Sequence, residues 1–192
     1  MTYFSQAGVY LVQVVFGFYT LLVLLRFLFQ LVRADFYNPI SQFIVAFTNP
    51  PLKLLRRFIP GFFGIDFAAV VLLFALKMLE VYLFGWLQGI APKPIGLLVL
   101  ATARLLELAV WVFIISIFIR VILSWVNPYG TRNPIGDLLY SLTEPMLAPA
   151  RRLIPNIGGL DISPIAVFIL LQLTLILIVN PLEDVGLSLM LR

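Results

Sequence analysis

The sequence contains neither cysteine nor histidine among its 192 residues. Without cysteine the chain can form no disulfide, no thiolate nucleophile and no cysteine metal site. Without histidine it lacks the usual general base, the usual haem ligand and the commonest metal ligand. No Walker loop, dinucleotide fingerprint or Ser–His–Asp set is present either. We therefore predict a protein that is not an enzyme and that uses no cofactor and no metal.

Charged residues are also scarce. They make up 11% of the chain, whereas hydrophobic residues make up 62% and the mean hydropathy is +1.07. A soluble domain carries about 25% charged residues, so this composition indicates a protein with several membrane spans. The net charge is +4. Anionic lipid headgroups are enough to explain this small excess of basic residues, so we predict no nucleic-acid partner.

Four short blocks of mostly polar, proline and glycine residues recur in the same order at a constant offset of 95 positions, without a gap. A match of this length between residues that are mostly not aliphatic predicts an internal repeat. The residues that we expect to shape the repeat are Asn38, Pro39, Pro60 and Asp66 in the first copy, and Asn133, Pro134, Pro155 and Asp161 in the second.

The most distinctive motifs of the first copy are Asp35-Phe36-Tyr37-Asn38-Pro39 and Arg56-Arg57-Phe58-Ile59-Pro60, and those of the second are Arg151-Arg152-Leu153-Ile154-Pro155 and Asp161-Ile162-Ser163-Pro164. In these motifs the repeat resembles the YggT family of small bacterial and plastid membrane proteins. The similarity covers nearly the whole chain. The resemblance implies an assembly or organising factor. Plastid relatives are linked to haem attachment in a cytochrome b, and bacterial relatives to division-gene clusters or to osmotic stress tolerance and potassium uptake.

The apolar runs predict an all-α membrane protein with four transmembrane helices, arranged as two parallel tandem repeats. Between the two spans of each repeat we expect an amphipathic helical hairpin. Residues 1–92 form the first repeat, with spans 8–32 and 67–88 and a hairpin at 38–60. Residues 93–192 form the second, with spans 95–126 and 164–180 and a hairpin at 133–155, and a kinked or surface helix can extend the last span.

Each predicted hairpin carries a cluster of basic residues. Asn-Pro begins its first helix as an N-cap followed by proline, and Thr48 or Asn49 with Pro50 is expected to end that helix and start a second. A short basic amphipathic helix beside a span suits the membrane surface, although arginines that only fix the topology would look the same. The candidate residues for lipid or partner binding are Lys53, Arg56, Arg57, Arg151 and Arg152.

The distribution of loop charges predicts an orientation. Seven basic residues lie in the two long loops, whereas only Lys93 and Arg192 lie outside the spans on the other side. Since cytoplasmic loops carry the excess of lysine and arginine, we expect both loops in the cytoplasm and both termini on the outside of a bacterial inner membrane. Arg26, near the end of the first span, is expected to extend towards the membrane interface.

The second and third spans contain a neutral set of four charged residues: Lys77, Glu80, Arg104 and Glu107. Charges inside spans cost about 2.5–3.5 kcal/mol each, so they normally pair. Matched depth predicts two interhelical pairs, Glu80–Arg104 and Lys77–Glu107. Such a cluster is either a clamp that fixes the register of two helices or a polar path for an ion or proton.

Two functional hypotheses follow from these features. The first is a non-enzymatic membrane protein whose basic hairpins organise anionic lipid or assemble other membrane proteins. The second is a small ion channel or transporter subunit, a homo-oligomer because four spans make a narrow bundle, in which the intramembrane charges line the path.

Overall fold

The computed structural model of the chain describes residues 3–62, 64–126, 133–154 and 161–191. Within these ranges the protein consists of helices joined by short connections. The first copy of the repeat contains α1 (Tyr3–Leu31), α2 (Pro39–Leu55) and α3 (Phe67–Leu87). The second contains α4 (Pro94–Val126), α5 (Pro134–Leu153), α6 (Ser163–Thr174), a π-helical turn (Leu175–Val179) and α7 (Asn180–Leu191).

Four of these helical segments are long and apolar enough to cross a bilayer. They are Gln6–Leu31, Phe67–Leu87, Pro94–Val126 and Ser163–Leu191. The all-α class and the four predicted spans are therefore confirmed, and each repeat contributes two spans separated by one further helix, α2 or α5.

The fourth span is longer than the predicted range of residues 164–180. It runs for 29 residues, from Ser163 to Leu191, and continues through Pro181. A proline inside a helix removes one backbone donor and crowds the preceding turn. The π-helical turn lies directly before this proline, and the Asn180 N–H bonds the Leu175 carbonyl. The widened turn lets the chain pass the proline without ending the helix.

The expectation of a helical hairpin between the spans is wrong, because α2 and α5 are each a single helix. Both contain internal prolines, Pro50 and Pro51 in α2 and Pro145 and Pro149 in α5. Pro51 leaves the Phe47 carbonyl without its usual helical donor. The Tyr19 hydroxyl of α1 donates to that carbonyl at 3.3 Å, so a neighbouring span supplies the bond that the proline removes.

Helices α2, α3 and α5 begin where the sequence predicts. Asn38 and Asn133 are N-caps whose side-chain oxygens each accept the N–H two residues later at 3.0 Å, with proline as the first helical residue. Asp66 caps α3 through the Ala69 N–H. These side chains satisfy backbone donors that a helix start leaves free. Asn38 also donates to the Pro134 carbonyl at 2.7 Å and so joins the two repeats.

The core joins the spans to the shorter helices. One buried cluster brings together Val23 of α1, Leu52 of α2, Ala69 of α3 and Leu142 of α5. A second packs α4 and α5 against α6. Since the apolar faces of both α2 and α5 enter these clusters, the two helices are packed onto the spans along one side and are exposed along the other.

Helices α4 and α7 cross in very close contact. A Cβ atom added at Gly96 would overlap the Met190 backbone, and one added at Gly186 would lie 2.8 Å from the Leu100 nitrogen. The Lys93 N–H also bonds the Met190 carbonyl at 3.4 Å. Small residues permit such crossings between membrane helices, where van der Waals packing drives association.

We expect Gly96→Ala to lower the free energy of unfolding by about 1–3 kcal/mol, because the added methyl group must push two backbones apart. Thermal unfolding of the purified protein in detergent measures the change. Gly17→Ala is the matched control, since an added Cβ there meets nothing within 4 Å. Equal stability of the two variants would show that the crossing is not a tight contact.

Candidate functional site

A buried arginine joins α1 to the middle of α2. Arg26 is 9% exposed, and its guanidinium donates to the Thr48 hydroxyl at 2.8 Å, the Asn49 side-chain oxygen at 3.2 Å and the Val45 carbonyl at 3.3 Å. The Thr48 hydroxyl in turn donates to the Ile44 carbonyl at 2.7 Å. Arg26 therefore binds within the protein instead of extending to the interface, because α2 packs against this part of α1.

The second repeat contains the same contact. Arg120 of α4 donates to the Thr143 hydroxyl at 2.7 Å and to the Glu144 carboxylate at 2.7 Å, and it lies 4.4 Å from the centre of the Tyr140 ring. Thr143 donates to the Leu139 carbonyl at 2.7 Å. We call these two arrangements the Arg–Thr contacts of the first and second repeat.

An ion pair then joins the end of each of these helices to the start of the next span. Arg56, just after α2, pairs with Asp66, and Arg151 in α5 lies 3.2 Å from the carboxylate of Asp161. Asp161 also accepts the Ser163 N–H at 2.9 Å. We call these the Arg–Asp pairs. Both members of each pair keep the 95-residue offset, so the repeat preserves the interaction itself.

The second repeat has one additional acid at its centre. Glu144 accepts hydrogen bonds from Arg120 at 2.7 Å and from Arg151 at 3.0 and 2.9 Å. Hydrogen bonding from Arg151 is the main reason that the pKa of the Glu144 carboxyl lies below its usual value, with a smaller lowering from Arg120 and opposition from burial. A single carboxylate therefore links the Arg–Thr contact to the Arg–Asp pair.

The five basic residues proposed for lipid or partner binding fall into two groups. Arg56 and Arg151 are held by acids of the protein. Lys53, Arg57 and Arg152 are exposed, beside the exposed apolar side chains of Leu54, Phe58 and Leu153.

Of the residues expected to shape the repeat, Pro39 and Pro134 begin α2 and α5, Pro60 follows the turn after α2, and Pro155 lies outside the described residues.

The four charged residues inside the spans line one cavity of about 380 Å³ between α1, α3, α4 and α7. The predicted interhelical pairs are wrong, however. Lys77 pairs with Glu80 at 2.7 Å on the same helix, and Arg104 lies 3.4 Å from Glu107 on its own helix. Residues three positions apart share a helix face, so each acid reaches the cation on its own helix.

The sequence did not indicate the second partner of Arg104. The carboxylate of Glu183 in α7 lies 2.6 Å from the Arg104 guanidinium. Its position follows from the continuation of the fourth span and from the close crossing of α4 and α7. The equivalent placement of Arg26 and Arg120 near the ends of their spans was a signal for the Arg–Thr contacts, but the sequence alone did not identify their acceptors.

Among the described residues, no group of three or more aspartates or glutamates is arranged to hold a metal ion. What the geometry offers instead is hydrogen bonding and charge, in two repeated Arg–Thr contacts, two Arg–Asp pairs and one charged cavity within the spans.

Together these features define a helical membrane protein built from two tandem copies of a span, a packed amphipathic helix and a second span. The chain belongs to the CCB3/YggT family, whose profile matches residues 5–87 and 99–182, one segment for each repeat.

Similar proteins occur in several bacteria. The chain is 45% identical to an uncharacterised protein of Pseudomonas aeruginosa over 178 residues, which cover 92% of this chain and 90% of the relative. It is 42% identical to an uncharacterised protein of Vibrio alginolyticus, covering 85% and 88%. It is 36% identical to the uncharacterised protein YggT of Escherichia coli K12, covering 84% of each. No solved structure matches the chain.

We expect Glu144→Gln to lower the free energy of unfolding at pH 7 by about 1–3 kcal/mol, because it weakens charge-assisted hydrogen bonds to two arginines. A lowered carboxyl pKa contributes stability above the unfolded-state value of about 4.3, and this contribution is lost as the pH falls through the folded-state value. The difference in the free energy of unfolding between the wild type and Glu144→Gln should therefore become smaller below about pH 4.

Denaturant unfolding in detergent at pH 7 and at lower pH measures this difference. Asp137→Asn is a control on the same helix, because Asp137 is exposed in the first turn of α5. If Glu144→Gln lowered the stability equally at every pH, the ionised Glu144 carboxylate would not be the source of the stabilisation.

Proposed function

We propose that the protein is a non-enzymatic organising factor of the bacterial inner membrane, which gathers anionic lipid and neighbouring membrane proteins at the exposed faces of α2 and α5. The observation that carries this proposal is the placement of Lys53, Arg57 and Arg152. Each of these exposed cations stands beside an exposed apolar side chain. Cations next to apolar groups on a helix are typical of helices that lie in the membrane interface.

The internal bonds support this proposal because they fix the direction in which the cations face. The Arg–Thr contacts hold the middle of α2 and α5, and the Arg–Asp pairs hold their ends. A surface fixed in advance loses little conformational entropy when it binds lipid headgroups or a partner. The excess of basic residues on these helices favours a cytoplasmic position for both loops and a location outside the cytoplasm for both termini.

Replacing Lys53, Arg57 and Arg152 together by glutamine should reduce the anionic phospholipid that remains bound to the purified protein. Each cation near an anionic surface contributes about 1 kcal/mol, so the triple variant should lose most of this lipid. Native mass spectrometry after extraction in mild detergent counts the bound lipids. Lys93→Gln removes an exposed cation from the other side and should change nothing. If the triple variant kept its anionic lipid, this surface would not be the binding site.

A second candidate function is an oligomeric ion channel or transporter subunit, with the cavity of about 380 Å³ as part of the path. The observation that favours it is the addition of Glu183 to the cluster. With this residue the cluster contains two cations and three carboxylates and so has one net negative charge. Excess charge inside a bundle is typical of ion and proton sites.

This second candidate predicts potassium or sodium flux into liposomes that carry the purified protein. Glu80→Gln and Arg104→Gln should abolish the flux, because they alter the charge that lines the cavity. Absence of flux in the wild type, with variants that only unfold at lower temperature, would identify the cluster as a structural clamp. Lys77 is only 7% exposed, so the loss of its partner at Glu80 should be destabilising in either case.

A further inference from the structure

A second cavity, of about 360 Å³, lies between the end of α1 and the first half of α2. Three arginines line it: Arg26, Arg33 and Arg56. Gln30 and Ser41 add polar groups, whereas no aspartate or glutamate is among the lining residues. The wall of this cavity therefore carries an excess of positive charge and of hydrogen-bond donors.

The second repeat shows how the protein neutralises the equivalent arginines. There Glu144 accepts hydrogen bonds from both Arg120 and Arg151. At the offset of 95 residues the first repeat has Asn49 instead of Glu144. Asn49 accepts one bond from Arg26 and is neutral. The first repeat thus has the same pair of arginines without the carboxylate that links them in the second.

Two further residues of this cavity point to a ligand. Ser41 is 5% exposed, and its hydroxyl has no hydrogen-bond partner within the described residues. Buried hydroxyls normally have a partner, because leaving one unpaired costs free energy. At the offset of 95 residues the second repeat has Gly136, so this hydroxyl is particular to the first repeat.

Arg33 is the second of these residues. It ends α1 with a φ of +53°, a left-handed conformation usually taken by glycine or asparagine. The Ala34 N–H bonds the Phe29 carbonyl at 2.8 Å across this turn, as in the usual glycine-ended helix. A long cationic side chain in a strained backbone position suggests that the side chain is needed there.

We propose that this cavity binds a phosphate group, which supplies its arginines with the negative charge that the Glu144 carboxylate supplies in the second repeat. A phosphate offers several acceptor oxygens at once, and planar guanidinium groups bind such oxyanions in bidentate fashion. The phosphate belongs either to the headgroup of an anionic lipid or to free inorganic phosphate. The site lies where α1 ends and α2 begins, and it does not depend on the exposed cations of the proposed lipid surface.

The test measures ligand binding to the full-length protein in detergent by microscale thermophoresis. The probes are inorganic phosphate, a short-chain phosphatidic acid and a short-chain phosphatidylglycerol, with short-chain phosphatidylcholine as the zwitterionic comparison. The variants are Arg33→Asn, which keeps a residue suited to the left-handed turn, Ser41→Ala, and Asn49→Glu, which supplies the carboxylate of the second repeat. Lys93→Gln is the control, because it changes the net charge by the same amount as Arg33→Asn and Asn49→Glu but lies outside both the cavity and the proposed lipid surface.

We expect saturable binding of at least one phosphate probe by the wild type, and binding about tenfold weaker or more in Arg33→Asn and Asn49→Glu. Ser41→Ala should weaken binding less, and Lys93→Gln should stay within about twofold of the wild type. Asn49→Glu should keep or raise the thermal stability, since it neutralises Arg26 internally. Binding of inorganic phosphate alone would identify a soluble anion as the ligand, and binding of only the lipid probes would identify a headgroup.

Three results would overturn the proposal. The first is that none of the phosphate probes binds the wild type. The second is an equal loss of binding in Lys93→Gln and Arg33→Asn, which would indicate attraction by overall charge. The third is full binding by Asn49→Glu in a folded protein. None of these results would test the proposed lipid surface at Lys53, Arg57 and Arg152, which is tested by its own triple variant.

Discussion

The structure depends on one arginine near the end of the first span of each repeat, buried in the first repeat and part-buried in the second, that must find acceptors inside the protein. A guanidinium in or near a bilayer cannot be left unpaired without a large cost in free energy. Arg26 and Arg120 meet this requirement through a threonine hydroxyl, which is itself bonded to its own helix. Once α2 and α5 are held in this way, their ends lie close enough to the next span for the Arg–Asp pairs to form.

The two repeats share this framework but differ in charge. In the second, Glu144 neutralises both arginines and the Tyr140 ring covers one of them. In the first, Asn49 and Val45 occupy the equivalent positions, and the arginines line a cavity without an acid. The duplicated fold therefore carries one copy in which a carboxylate links both arginines and one copy in which the neutral Asn49 takes that position.

The features that the sequence predicted correctly are local ones. The spans follow from long apolar runs, and the caps at Asn38, Asn133 and Asp66 follow from residue types next to helix starts. The errors concern what another helix supplies. Pro50 does not end α2, because hydrogen bonds from Tyr19 and Arg26 hold the helix. The similar depth of the four charged residues in the membrane did not reveal that Glu80 and Glu107 each face the cation on their own helix. Glu183 was missed because Pro181 suggested the end of a span that in fact continues.

The repeated pair of adjacent arginines holds each helix to the protein as well as adding charge to its loop. Successive residues of a helical turn point about 100° apart, so adjacent arginines cannot face the same direction. In both copies the first arginine binds an aspartate of the protein, and the second is exposed. Any arrangement of the same charges would hold a loop on one side of a membrane. In both copies the first arginine of the pair joins its helix to the next span, and the second adds an exposed charge to the surface that we propose for binding.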